Sequence, residues 1–224
     1  MFIRSGGLTI QFFNACVVCI EVFPEAVRFD SLRLGRAHAH GSPPLSPPQM
    51  TRELLVRYGD SARIVAAVRS PSTSTSLLDL AASNPTLSLA PLDVTAPDSI
   101  AALPEVLRSQ GVDHVGVLIN NAGIYGHRKN LGEFQQEDFY APFQINAVGP
   151  LLLVQELHTA QMLGGTDRQS LVVNISSMVA SMQLNTWGGG YAYRVGSGPL
   201  VYALSCLNRE RGRASSSAGE QGRP

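Results

Sequence analysis

The stretch VGVLINNAG, Val115 to Gly123, decides the fold. Its apolar run is continuous rather than alternating, as expected of a strand covered on both faces, and it closes on small polar residues. Working outward, RIVAAVR (Arg63–Arg69), LSLAPLDV (Leu87–Val94) and SLVVNISS (Ser170–Ser177) read as further buried strands. Helical text separates them. TRELLVRYG reads as a helix ended by Gly59, SPSTSTS as a polar turn into helical LLDLAAS, and PDSIAALPEVLRSQG as a helix with a charged face. Asp138 to Leu163 reads as one long helix. Strands alternating with helices predict an α/β fold, a doubly wound parallel sheet with helices on both faces.

The flanks differ in texture. GSPPLSPP, Gly41 to Pro48, predicts a boundary, because proline lacks a backbone donor and biases the preceding residue away from helix. The chain therefore divides into an atypical segment with a proline-rich linker (1–48), a central α/β domain (49–207) and a disordered tail (208–224) that lacks apolar periodicity. LTIQFFNACVVCIEVF, Leu8 to Phe23, is the most apolar run near the start. It is interrupted by Gln11, Asn14 and Glu21 and is too short to span a bilayer, so a buried strand or a stray segment is expected, with no membrane partner.

With 224 residues and 44% hydrophobic content the chain can bury one core. A formal net charge of zero provides no field for gathering nucleic acid, and the arginines of the tail read as a solvated end. Cys16, Cys19 and Cys206 are an odd set, which argues for a reducing, cytoplasmic location rather than a disulfide framework. The CxxC spacing of Cys16 and Cys19 has no second ligand pair to complete a metal site, so buried thiols and no metal are expected.

In an open parallel sheet, ligands bind outside the carboxyl ends of the strands. Asn120, Asn121, Ala122 and Gly123 close one strand there, and Ser176 and Ser177 close another. Asn146, inside the long helix, is an amide that must find partners if buried and can hold a water.

Taken in order, LDVT (92–95), LINNAGI (118–124), INAVGP (145–150), VVNISS (172–177) and GGGYAYR (188–194) resemble the short-chain dehydrogenase/reductase family, in its carbonyl-reductase and C-factor-like branch. The resemblance implies hydride transfer between NAD(P)H and a small carbonyl or alcohol. It implies Tyr193 as the proton donor or acceptor at the substrate oxygen, Ser177 as the hydrogen-bonding partner of that oxygen, and Asn146 as the holder of a relay water. Arg69 resembles the residue facing the adenosine ribose and implies NADP rather than NAD, through its fit to a 2′-phosphate. Asp93 resembles the contact to the adenine amine, and Asn121, Ala122 and Gly123 resemble the lining of the adenosine ribose. Self-association through the long helix and the tyrosine helix is also implied.

Three departures stand against this. The family's lysine, four residues after the tyrosine, is Ser197 here, and neither Arg194 nor Tyr191 supplies an evident replacement. Where a glycine-rich phosphate turn belongs, the sequence reads GSPPLSPPQM, with four prolines. CVVCIEVF could pair as a substitute first strand, but without a phosphate cradle. Beyond Tyr193 the text turns to Arg, Ser and Gly, and Gly196, Gly198 and Pro199 disfavour a helix. The sequence thus leads us to expect a relative truncated at both ends, with weakened NADP binding, impaired catalysis and marginal stability. The rival expectation is a non-catalytic binding or dimerisation module derived from the same fold.

Overall fold

The computed structural model describes residues 12–13, 16–22, 46–59, 61–164 and 169–199. The tail from residue 208 and Cys206 lie outside the described residues, as does the stretch 41–45 of the proline run.

In chain order the elements are β1 (Phe12–Phe13), β2 (Cys16–Val22), α1 (Pro47–Tyr58), β3 (Ala62–Val68), α2 (Thr75–Ser83), β4 (Leu87–Pro91), α3 (Pro97–Ser109), β5 (Val117–Asn120) and β6 (Gly123–Ile124). A continuous helical run follows: α4 (Glu137–Phe143), a π-helical turn (Gln144–Val148) and α5 (Gly149–Thr159). The chain then forms β7 (Leu171–Asn174) and a final helix, α6, over 191–199. The long helix is therefore present, though interrupted by one wide turn and ended at Thr159.

The main sheet has the order β4-β3-β2-β5-β7. β3 pairs with β4 and β5 with β7 in parallel, as the alternation of strands and helices requires. β2 lies between β3 and β5 and runs antiparallel to both. The α/β class and the doubly wound arrangement hold, but the sheet is mixed, because β2 runs opposite to both of its neighbours. CVVCIEV does serve as a substitute first strand, with reversed polarity.

That placement corrects the expected separation at the proline run. Residues 16–22 belong to the middle of the sheet, and Pro47 and Pro48 open α1 instead of continuing a linker. Proline suits the first helical position, where the missing N–H has no intrahelical partner.

Side-chain alternation makes a core on each face. Val17 and Cys19 of β2 join Val65, Leu118, Leu103 of α3 and Leu153 of α5. Val18 and Ile20 join Ile64, Ile119, Leu54 of α1 and Leu77 of α2. Val17 to Ile20 are all at most 1% exposed, so the central strand is buried on both faces. Glu21, the charge in this apolar run, sits opposite Arg63 in register and reaches it at 3.7 Å. Cys19 is a buried core residue, and no metal-holding cluster occurs among the described residues. Among them, too, no helix is long and apolar enough to cross a membrane.

Two helices approach neighbouring backbone closely enough to require glycine. A Cβ at Gly149 would lie 2.7 Å from the Val94 carbonyl oxygen, and one at Gly196 would lie 2.5 Å from the Pro142 carbonyl oxygen. Gly196, which disfavours helix by propensity, is thus what allows α6 to lie on α4.

The central position of β2 predicts a large truncation effect at Ile20. Ile20→Ala should destabilise the fold by about 2–5 kcal/mol in urea unfolding, the range for a fully buried aliphatic side chain. A loss below about 1 kcal/mol, typical of exposed positions, would contradict its placement between β3 and β5.

Candidate active site

The carboxyl ends of β3, β4, β5 and β7 gather the sequence-derived candidates along one edge of the sheet. Arg69 follows β3 and is exposed, and Asp93 follows β4 and is half-buried. Asp93 Oδ1 accepts from the Thr95 amide at 2.8 Å and the Thr95 hydroxyl at 2.7 Å. Burial pushes the Asp93 carboxyl up, but those two hydrogen bonds and the charge of Arg69 together outweigh it and hold it below the usual carboxylate range. Arg69 is therefore an electrostatic neighbour of Asp93.

At the end of β5, Asn120 donates from Nδ2 to Asn174 Oδ1 across the parallel pair at 2.8 Å. Its own Oδ1 is buried with no hydrogen-bond partner among the described residues. Asn121 and Gly123 are half-buried and Ala122 is buried, which leaves the turn flat with small side chains.

Asn146 sits in the π-helical turn, where the wide spacing offsets it from the flanking α-helices. It is 6% exposed. Its Oδ1 accepts from the Ile124 amide and its Nδ2 donates to the Ile124 carbonyl, both at 2.8 Å, so the side chain acts as a strand neighbour of β6. Nδ2 also lies 3.4 Å from Ser197 Oγ. Ser197, in the position of the family's lysine, is 5% exposed and faces this amide.

Ser177 caps a short 3₁₀ turn, accepting from the Val179 amide at 3.2 Å. Tyr193 lies on the first turn of α6, half-buried, and stacks on Tyr125 at 4.9 Å between centroids with 14° between planes. The two segments meet at Val179, whose carbonyl accepts from Arg194 Nη1 at 2.7 Å. Arg194 also donates to the carbonyls of Gly189 at 2.7 Å and Gly188 at 3.2 Å. Its guanidinium is turned onto the glycine loop, away from the role of a lysine substitute. Gly188, Gly189 and Gly190 all have φ between +61° and +64°, which explains the triple glycine.

The other nearby cations are similarly engaged. Arg128 lies over the Tyr125 ring at 4.8 Å, and Lys129 pairs with Asp138 at 2.6 Å. Tyr125 and Arg128 were not singled out by the sequence. Nothing in their spacing marks a ring stack that forms only when the 123–128 turn meets α6.

The opposite end of the crevice belongs to α1. The amide and hydroxyl of Ser46 both donate to Gln49 Oε1 at 2.9 Å, and the Met50 amide donates to the Ser46 carbonyl at 2.9 Å. Pro47 and Pro48 have no amide hydrogen. The helix start thus lacks the row of outward amides that holds a diphosphate. Arg69 and Asp93 thus stand at the strand ends, while the helix start offers few backbone donors.

Comparison with known proteins bears on this arrangement. A family model described as short chain dehydrogenase matches residues 51–193. C-signal of Myxococcus xanthus is 38% identical over 98 residues, 43% of this chain and 56% of that protein. Short-chain dehydrogenase srdF of Neurospora crassa is 37% identical over 100 residues, 42% of this chain and 39% of that protein. The chain spans about half the length of these curated relatives. Among solved structures, NADPH-bound carbonyl reductase from chicken fatty liver superposes with a TM-score of 0.63 at 26% identity, over 71% of this chain and 64% of that one. Carbonyl reductase Sniffer of D. melanogaster gives 0.57 at 25% identity, over 64% and 62%. β2 and Ser197 both lie outside the residues that the family model matches.

The Lys129–Asp138 pair gives a pH prediction. The hydrogen bond from Lys129, then that from the Gln135 amide, holds the Asp138 carboxyl below its ordinary value against the opposing effect of burial, with smaller help from the charges of Lys129 and His127. A depressed carboxyl pKa stabilises the fold above the unfolded value of about 3.9, and that contribution disappears as pH falls through the folded pKa. Asp138→Asn should therefore be less stable than the parent at pH 7, and the gap should close on acidification below about pH 4. A gap independent of pH in paired urea titrations would contradict this.

Proposed function

For a chain that belongs to the short-chain dehydrogenase family, we propose an NADP-directed protein of carbonyl-reductase type, acting toward a small carbonyl or alcohol, in which the catalytic step is impaired. The carrying observation is Ser197, buried against Asn146 four residues after Tyr193, where the family resemblance implies a lysine. A phenol acts as a base at neutral pH only where a neighbouring cation favours the phenolate. Arg194 and Lys129 are committed to other partners.

In this reading Tyr193 exchanges the proton with the substrate oxygen and Ser177 hydrogen-bonds that oxygen. Asn146 is the relay residue, although its amide is already occupied by Ile124. Arg69 holds the adenosine 2′-phosphate, with Asp93 at the adenine amine and Asn121, Ala122 and Gly123 along the ribose. NADP would supply hydride chemistry in a protein of this type; the helix start that would face its diphosphate is made of Pro47 and Pro48. Weak binding of the whole dinucleotide follows from that misfit.

A second reading is favoured by the same helix start. The fold serves as a non-catalytic binding or dimerisation module, and nucleotide recognition is limited to the adenosine end. The two readings share Arg69 and differ in whether any Tyr193-dependent turnover remains.

NADPH oxidation in the presence of a carbonyl substrate separates them. General acid–base catalysis contributes about 10²–10⁴-fold. The impaired-enzyme reading expects a slow rate that falls further in Tyr193→Phe, whereas the module reading expects no difference between parent and variant. Turnover in the ordinary range of about 1–10³ s⁻¹ would refute both.

The adenosine-end assignment is tested separately with 2′,5′-ADP and 5′-AMP. Charge-assisted hydrogen bonds contribute about 1.5–3 kcal/mol, so Arg69→Ala should lose about tenfold or more in 2′,5′-ADP affinity. Its 5′-AMP affinity should stay unchanged. An equal loss for both nucleotides, or none, would remove Arg69 from the phosphate site.

A further inference from the structure

The two outer strands of the sheet, β4 and β7, are finished differently. Along β4 the Thr86 carbonyl and the Leu92 amide bond to β3, so the alternation of the ladder turns the backbone groups of Leu89 and Pro91 outward. Both are blunted. Gln110 of α3 donates from Nε2 to the Leu89 carbonyl at 2.9 Å while its Oε1 accepts from the Ser88 hydroxyl at 2.8 Å, and Pro91 has no amide hydrogen to offer. A covering side chain and an edge proline are two of the devices that keep a strand edge from recruiting another strand.

β7 has neither. The Leu171 and Ile175 amides donate to the Gly116 and Asn120 carbonyls at 2.8 and 2.9 Å, which turns the amides and carbonyls of Val172 and Asn174 outward. Among the described residues those outward groups have no backbone partner. From Gln169 to Tyr193 the sequence contains no Asp, Glu, Lys, Arg, His or Pro, so no charge or proline guards this edge. All of β7 is half-buried, unlike Val17 to Ile20 of the central strand.

The outward pattern is complementary to itself. With Val173 placed opposite Val173 of an antiparallel copy, Val172 falls opposite Asn174, and these two exchange amide-to-carbonyl hydrogen bonds on each side of a two-fold axis. The same register sets Leu171 opposite Ile175, which is 41% exposed, so the apolar row Leu171, Val173, Ile175 meets its own reverse. Leu171 and Val173 already pack on the core of Ile119 and Val117, and the second strand would extend that core. Across a two-fold axis a charged strand faces its own charge; this uncharged strand meets no such repulsion, and it offers nothing to a charged partner.

We propose that the outer edge of β7 docks a second copy of this chain through antiparallel β7–β7 pairing, joining two sheets across a two-fold axis. The contact is separate from the nucleotide site and from pairing through the long helix and the tyrosine helix. One short strand with apolar flanks makes a small interface, so association is reversible and depends on concentration.

The test uses the full chain. Sedimentation velocity over a concentration series compares the parent with Val172→Pro, which removes an outward amide from each copy and leaves the amides facing β5 in place. The dimer should weaken by about tenfold or more, as expected for losing that hydrogen bond twice. In the parent, amide exchange over a peptide covering 170–176 should slow as concentration rises. A parent that stays monomeric throughout the series, or a dimer that Val172→Pro leaves unchanged, would overturn the proposal. Equal protection of that peptide at every concentration would also overturn it, since another segment of the same chain would then hold the edge. Should Val172→Pro fail to fold by near-ultraviolet circular dichroism, the exchange series on the parent decides alone by the same criterion.

Discussion

Everything in this molecule depends on the insertion of β2 between β3 and β5. Without a strand there, β3 and β5 would each present an unpaired edge within the sheet, and each helical layer would face an opening where Val17 to Ile20 now lie. Strand pairing is tolerant of direction, since antiparallel and parallel ladders both satisfy the backbone donors and acceptors. What the site demands of this strand is stricter than what the sheet demands. An apolar segment of seven residues meets the sheet's requirement in either direction, but only one direction delivers a phosphate-binding turn to the crevice.

That difference separates the two halves of the candidate site. The residues that depend on β3, β4, β5 and β7 fall where the strand ends place them, and Arg69 and Asp93 come close enough to influence each other. The part that would depend on the end of a parallel central strand is replaced by the start of β2 and by a helix start containing Pro47 and Pro48. Fold and phosphate recognition make different demands: hydrophobic burial is non-directional, whereas phosphate recognition needs oriented amides.

A similar substitution occurs around Tyr193. Arg194 ties the loop of Gly188 and Gly189 to Val179, and Ser197 closes on Asn146, so the polar groups near the tyrosine satisfy one another. Self-satisfied polar groups stabilise the local structure, but an amide and a hydroxyl do not provide the positive charge that favours a phenolate. Tyr125 and Arg128 extend the cluster: Tyr125 stacks on Tyr193, and the Arg128 guanidinium lies over the Tyr125 ring.

Local sequence determined the apolar runs that become β3, β4, β5 and β7, the helices between them, and the identity of the residues at the strand ends. Those features follow from periodicity and turn chemistry within short windows, and the absence of Lys at Ser197 and of a glycine turn before Thr51 is visible in the same way. The tertiary structure alone decided the polarity of Cys16–Val22, because a strand buried on both faces carries no directional mark in its composition. It also decided the π-helical turn that brings Asn146 to Ile124, the need for glycine at 196 against Pro142, and the Tyr125–Tyr193 stack. Each of these depends on which distant surfaces meet, a property of packing between elements that no single window of sequence contains.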